Sequence, residues 1–191
     1  ARSIKKTDVT NTIGYVDISS VSTGYIDEIQ RMSLSEAPGR ARRIVRSGDV
    51  IWSMVRPNLR SYALIMRPES NLIVSTGFAV ITALKVPFTY LYHYLTTNEF
   101  VAYLVNHARG AAYPAVSGED FENALILCPS KEVTEQFHQH VLPLYEQIAV
   151  LSGKNRILEQ SRDLLLPRLI SGELDVSALD IQVEELDTME A

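Results

Sequence analysis

Residues 137–169 read FHQHVLPLYEQIAVLSGKNRILEQSRDLLLPRL, and the rhythm of this stretch decides the architecture. Phe137, Val141, Leu144, Ile148, Leu151, Asn155, Leu158, Arg162, Leu165 and Leu169 follow one another by steps of four and three without a slip. That spacing is a heptad seam, by which a long helix buries a narrow stripe against another helix. A continuous helix over 131–171, capped by Ser130, runs to about 60 Å at about 1.5 Å per residue, more than a domain of this size needs. Two seam positions are polar. Asn155 and Arg162 either fix register and partner choice or leave the seam open to water. Pro143 has no N–H to donate and meets the carbonyl of Gln139, so a kink or break is expected at 139–142. Pro167 predicts a bend or an early stop before Ser171, and Gly153 weakens the middle by about 1 kcal/mol relative to alanine.

Upstream the period is different. Gly14–Ser19 (GYVDIS) alternates like a short strand, Ser22-Thr23-Gly24 is a turn, and Tyr25–Ile29 reads as a second brief strand. Val50–Val55 (VIWSMV) is β-branched and aromatic and suits a buried strand. Arg56-Pro57-Asn58 makes a corner, after which Ser61–Met66, Asn71–Ser75 and Gly77–Leu84 add strands. Pro87 opens a helical segment at Tyr90–Leu95, and Asn98 stands as N-cap for a helix over Glu99–Ala108. Arg109–Pro114 is a loop, Ser117–Phe121 a short helical turn, and Ala124–Cys128 a last strand closed by Pro129. The expected divisions are a domain over 1–130, a helix over 131–171 and an acidic tail over 172–191.

The chain has 191 residues, 46% of them apolar, which suits one domain with a real core plus an extended element. A single cysteine, with no secretory signal and no apolar run of spanning length, predicts a soluble cytoplasmic protein with no membrane partner. The opening Ala1-Arg2-Ser3 has no start methionine and suits a trimmed chain or a piece of something longer. Net charge is −5, but seven of the 23 acids lie after Gly172, where there is no Lys or Arg; without them 16 acids face 18 basic residues. Local charge is therefore the better guide to a partner than the total.

Enzyme signatures are missing. Neither G-x-G-x-x-G nor G-x-x-x-x-G-K-[ST] occurs. His138 and His140 stand two apart on a helix, a spacing that points them away from one another and suits solvated histidines better than metal ligands. Cys128 sits in an apolar run and reads as a packed thiol. Glu119, Asp120 and Glu122 favour the dipole of a helix start. No metal, cofactor or catalytic group is assigned to the chain.

Residues 40–60 stand out instead. Arg40, Arg42, Arg43, Arg46, Arg56 and Arg60 share the stretch with one acid, Asp49. Arginine stays charged, bonds phosphate oxygens, and can grip guanine O6 and N7 through its planar fork. A second candidate surface is Arg109–Ser117 (RGAAYPAVS), whose small residues and Tyr113 let backbone approach a ligand. Solvated charges and a plain connecting loop are the competing readings of these two stretches.

Five stretches in order carry a resemblance: GYVDISSVSTGYID (14–27), APGRARRIVRSGDVIWSMVRPNLRSYALI (37–65), STGFAVI (75–81), GAAYPAVSGEDFENALILCPS (110–130) and LLLPRLISGELDVS (164–177). Together they resemble the DNA specificity subunits of type I restriction–modification systems. The resemblance implies a mixed α/β (α+β) target-recognition domain with a twisted, largely antiparallel sheet, followed by a long coiled-coil-forming spacer helix. It implies double-stranded DNA as ligand, with Arg40, Arg42, Arg43, Arg46, Arg56, Arg60, Tyr113 and Ser117 as candidate contacts. It also implies methyltransferase and restriction subunits as partners, which would bind S-adenosylmethionine and ATP elsewhere. Full-length members resemble two such units in tandem, their helices packed antiparallel as a ruler between half-sites. One domain and one helix make this chain a half-subunit that pairs with itself, or a fragment. The alternative is a coiled-coil scaffold whose domain binds protein or peptide; a hydrolase using Cys128 or His138 is a third reading.

Overall fold

The computed structural model describes residues 3–4 and 12–176, in two units, Ala1–Ala149 and Val150–Ala191. The elements run β1 (Thr12–Val16), β2 (Val21–Ser22), β3 (Tyr25–Ile26), β4 (Gln30–Ser33), β5 (Ala41–Ile44), β6 (Val50–Ser53), β7 (Tyr62–Leu64), β8 (Leu72–Ser75) and β9 (Phe78–Ile81). Helices α1 (Phe88–Leu95), α2 (Asn98–His107), α3 (Gly118–Glu122) and α4 (Lys131–Ile170) follow.

The strands form a four-stranded sheet in the order β4-β1-β8-β5, a three-stranded sheet β7-β6-β9 and a small β2-β3 hairpin. Pairings between these strands are antiparallel except that of β1 with β8. Strand β6 organises the first unit because it is buried on both faces, which is why VIWS reads as an unbroken apolar run. Successive side chains point to opposite faces. Ile51 accordingly meets Val16, Val74 and Phe78, joining the two larger sheets. Val50 and Trp52 face the other way, against Leu91, Leu95, Phe100 and Leu104 of α1 and α2. Trp52 is fully buried, and its Nε1 donates to the Leu95 carbonyl at 3.1 Å. The outer face of the four-stranded sheet has its own core around Ile13, Tyr15, Ile73 and Leu34.

Several local expectations change. Thr97, one residue earlier than expected, caps α2: its hydroxyl accepts from the Phe100 N–H at 3.2 Å, and Asn98 becomes the first helical residue. Residues 124–128 make no strand. Ala124 and Ile126 turn inward while Leu125 and Leu127 lie exposed. The carbonyls of Leu125 and Leu127 accept from the hydroxyls of Tyr94 and Tyr90 rather than from a neighbouring strand. Cys128 is therefore an exposed thiol, not a packed one.

Ser130 does cap α4, its hydroxyl accepting from the Val133 N–H. The first turns of α4 pack on α1. Thr134 is buried, Phe137 sets its ring edge-on to Tyr90 and His93, and Tyr145 does the same to Tyr92. His138 belongs to this contact and is half-buried, not freely solvated. Its Nδ1 and the hydroxyl of buried Thr89 are 2.9 Å apart, and Phe88 meets its ring edge-on. Its neighbour His140 is exposed. Pro143 and Pro167 do not break the helix, which is continuous over 40 residues. Pro143 and Gln139 are both exposed, so water can reach the carbonyl left without a helical donor.

In the second unit α4 continues to Ile170 and stops at Gly172. Gly172 has φ of 72°, its N–H bonds the Leu169 carbonyl, and Leu174 N–H bonds that of Arg168, a glycine C-cap. Here the seam is bare: Leu151 is 50% and Leu158 65% exposed. Arg162 at its polar position bonds its own neighbour Asp163 at 2.8 Å. Residues 177–191, most of the expected acidic tail, lie outside the described residues.

Candidate nucleic-acid interface

Folding divides the six arginines. Arg40, Arg42, Arg43 and Arg46 lie on or beside β5, on the edge of the four-stranded sheet. Strand β5 itself was not expected, because ARRI carries its charges at consecutive positions. Arg40 bonds Asp17 at 2.6 Å and the Tyr15 hydroxyl at 3.2 Å, and these partners raise the pKa of its guanidinium. Arg42 is half-buried and donates to the Ala41 carbonyl. Arg43 is also half-buried, and burial lowers its pKa. Arg46 is exposed; its backbone N–H donates to Asp49, whose other carboxylate oxygen accepts from Thr82. The one acid of the cluster thus serves a turn and neutralises no arginine side chain directly.

Arg56 and Arg60 bracket a 3₁₀ turn, Pro57–Leu59, that joins β6 to β7. Both have left-handed backbones, with φ of 50° and 55°. This conformation costs an L-residue on the order of 1–2 kcal/mol. Such outliers cluster where a structure must hold a side chain in one place. Arg60 donates to the Asn98 side chain at 2.6 Å.

The second candidate surface, Arg109–Ser117, packs on this same corner. The Arg56 N–H donates to the Pro114 carbonyl at 2.7 Å, and the Val116 N–H to that of Met54 at 2.8 Å. Arg109 and Ala115 close the loop by exchanging backbone hydrogen bonds. Gly110 has φ of 99°, and a Cβ there would lie 3.1 Å from the Tyr113 oxygen, so the tight loop requires glycine. Tyr113, at the tip, is 69% exposed, and the Arg56 guanidinium sits over its ring at 4.5 Å from the centroid. That is cation–π range.

The far end of the loop is anchored by a capping box at the start of α3. Ser117 donates its N–H and its hydroxyl to Asp120 at 2.7 and 2.8 Å. These two bonds, with a smaller contribution from Arg109 at 3.6 Å, hold the Asp120 carboxyl below its ordinary pKa. Ser117 therefore orders the loop through Asp120, and Asp120 does more than favour the helix dipole. Arg109 pairs with Asp120 only in the folded chain, a contact between residues 11 apart that no local pattern signals. Among the described residues no three His, Cys, Asp or Glu side chains gather as a metal site, and no helix is long and apolar enough to cross a membrane.

The first unit is a mixed α+β domain with a cationic corner at Arg56 and Arg60, and the long helix carries an exposed apolar seam. The chain is related in sequence and fold to the specificity subunits of type I restriction enzymes. It is 26% identical over 132 residues to the HindI specificity subunit of Haemophilus influenzae, covering 67% of this chain and 29% of that protein. It is 36% identical over 76 residues to the MjaIX specificity subunit of Methanocaldococcus jannaschii, covering 40% of this chain and 18% of that one. Among solved structures, the HsdS subunit from Thermoanaerobacter tengcongensis superposes with a TM-score of 0.64 at 29% identity, covering 86% of this chain and 44% of that one. A chain from a type I R-M system assembly gives 0.65 at 29% identity, covering 95% and 48%. No family model matches. The chain thus spans less than half the length of each of these relatives. Specificity subunits of type I systems are non-catalytic.

Proposed function

We propose that the chain is a sequence-specific DNA-recognition unit of a type I restriction–modification system, reading one half of a bipartite duplex target. One observation carries this reading: a single recognition domain with a single long helix aligns with about half of solved type I chains. The division at 130/131 is then functional, with the domain reading DNA and the helix setting the distance to a second reader. Its bare seam, from Leu144 to Leu169, suits a second helix, which in a half-subunit is that of another copy. Methylation and cleavage belong to the methyltransferase and restriction subunits that the unit positions on DNA, and the chain itself holds no cofactor. Of the candidate contacts, exposed Arg46, Arg56 and Tyr113 and the half-buried Arg60 meet DNA. Arg40, Arg42, Arg43 and Ser117, engaged within the fold or half-buried, shape the surface that carries them.

Phosphate contacts position a protein without reading sequence, and their loss weakens every duplex alike. Arg46→Glu combined with Arg60→Glu is therefore expected to lower duplex affinity at least tenfold, with a flatter salt dependence. Fluorescence anisotropy over a salt series reads both. A DNA-indifferent scaffold would show no salt-dependent duplex binding in the wild type, and that result would refute the proposal.

A further inference from the structure

We propose that Arg56, held over the Tyr113 ring, reads a guanine in the major groove; this deepens the DNA-binding reading above and rests on it. A bidentate grip on guanine O6 and N7 needs a planar fork presented in one orientation. The corner meets that need in three ways. The backbone of Arg56 is held in the left-handed region, at φ of 50°. Its N–H is tied to the Pro114 carbonyl at 2.7 Å. Its guanidinium rests over an aromatic ring that belongs to a separately anchored loop. Each constraint removes freedom that binding would otherwise have to freeze.

The other arginines lack this combination. Arg40 is neutralised by Asp17 and Arg109 lies beside Asp120, whereas Arg56 has no carboxylate partner among the described residues. Arg60 gives a donor to Asn98. Arg56 and Tyr113 are both exposed, so their edge is open to a ligand.

The test uses the full chain and a duplex that it enriches from a randomised pool. Each guanine of that duplex is replaced in turn by 7-deazaguanine, which lacks the N7 acceptor. One position is expected to lower wild-type affinity about tenfold, within the range of a bidentate base contact. Arg56→Ala should bind the parent duplex more weakly and lose nothing further at that position. Arg56→Lys keeps the charge without the fork and should bind, with a smaller loss at that position than the wild type shows. Tyr113→Ala should blunt the effect at the same guanine. The inference is overturned if folded Arg56→Ala still shows the full tenfold loss, or if no guanine in an enriched site is sensitive. A pool from which nothing is enriched would instead remove the DNA reading on which the inference stands.

Discussion

Replacing Leu151 and Leu158 with aspartate is expected to abolish self-association of the chain while leaving the recognition domain folded. Both leucines are already half or more exposed, so neither holds the monomer together. Burying a leucine from water contributes roughly 1.5–3 kcal/mol in full. About half of that is still to be gained here, on the order of 1 kcal/mol per side chain. A two-fold helix pair contains four copies of these positions, so ~4 kcal/mol is at stake, about a thousandfold in dissociation constant. Burying carboxylates against an apolar stripe adds a further penalty. Sedimentation should show the wild type at twice the chain mass and the double variant at a single chain mass. An unchanged dimer mass in the variant would place the self-contact elsewhere. A wild type that is already monomeric would assign the seam to a helix on another chain.

Trp52→Ala should have the largest effect on stability. The indole is fully buried and packs against Tyr62 at 5.1 Å, Phe121 at 6.4 Å and Phe100 at 6.5 Å between ring centroids. It also supplies the donor to the Leu95 carbonyl at the end of α1. Truncating a buried tryptophan costs roughly 3–5 kcal/mol, a large share of the ~5–15 kcal/mol that stabilises a typical protein. The melting temperature followed by circular dichroism should fall by roughly 6–20 °C. A fall of less than about 2 °C would show that β6 is not the element on which both cores depend. Because β6 runs directly into the Arg56 corner, the same variant should also weaken DNA binding near its lowered midpoint.

What was legible in the sequence was what repeats or what is buried on both sides. The seam showed α4 because its period holds over many turns, and VIWS showed β6 because no face of that strand meets water. Strands β4 and β5 were hidden: QRMS and ARRI carry polar and charged side chains on sheet-edge strands, where pairing rather than local propensity decides. ALILC misled in the opposite direction, since its apolar residues alternate between core and solvent without any strand partner. His138 looked solvated because its contact, Thr89, is remote in the chain. The candidate site was half legible. The arginines and the Tyr113 loop could be named, but not that Arg56 leaves the β5 group to join Tyr113. That pairing depends on a left-handed backbone at a non-glycine residue, which no local pattern announces.

The central claim is that this domain reads DNA sequence, and enrichment from a randomised duplex pool at moderate salt tests it most directly. The full chain, alone and with a methyltransferase subunit, should enrich a short motif split by a gap of fixed length and unspecified sequence. For the self-paired form the two half-sites should be related by two-fold symmetry. Recovery of an unenriched pool under both conditions would contradict the account.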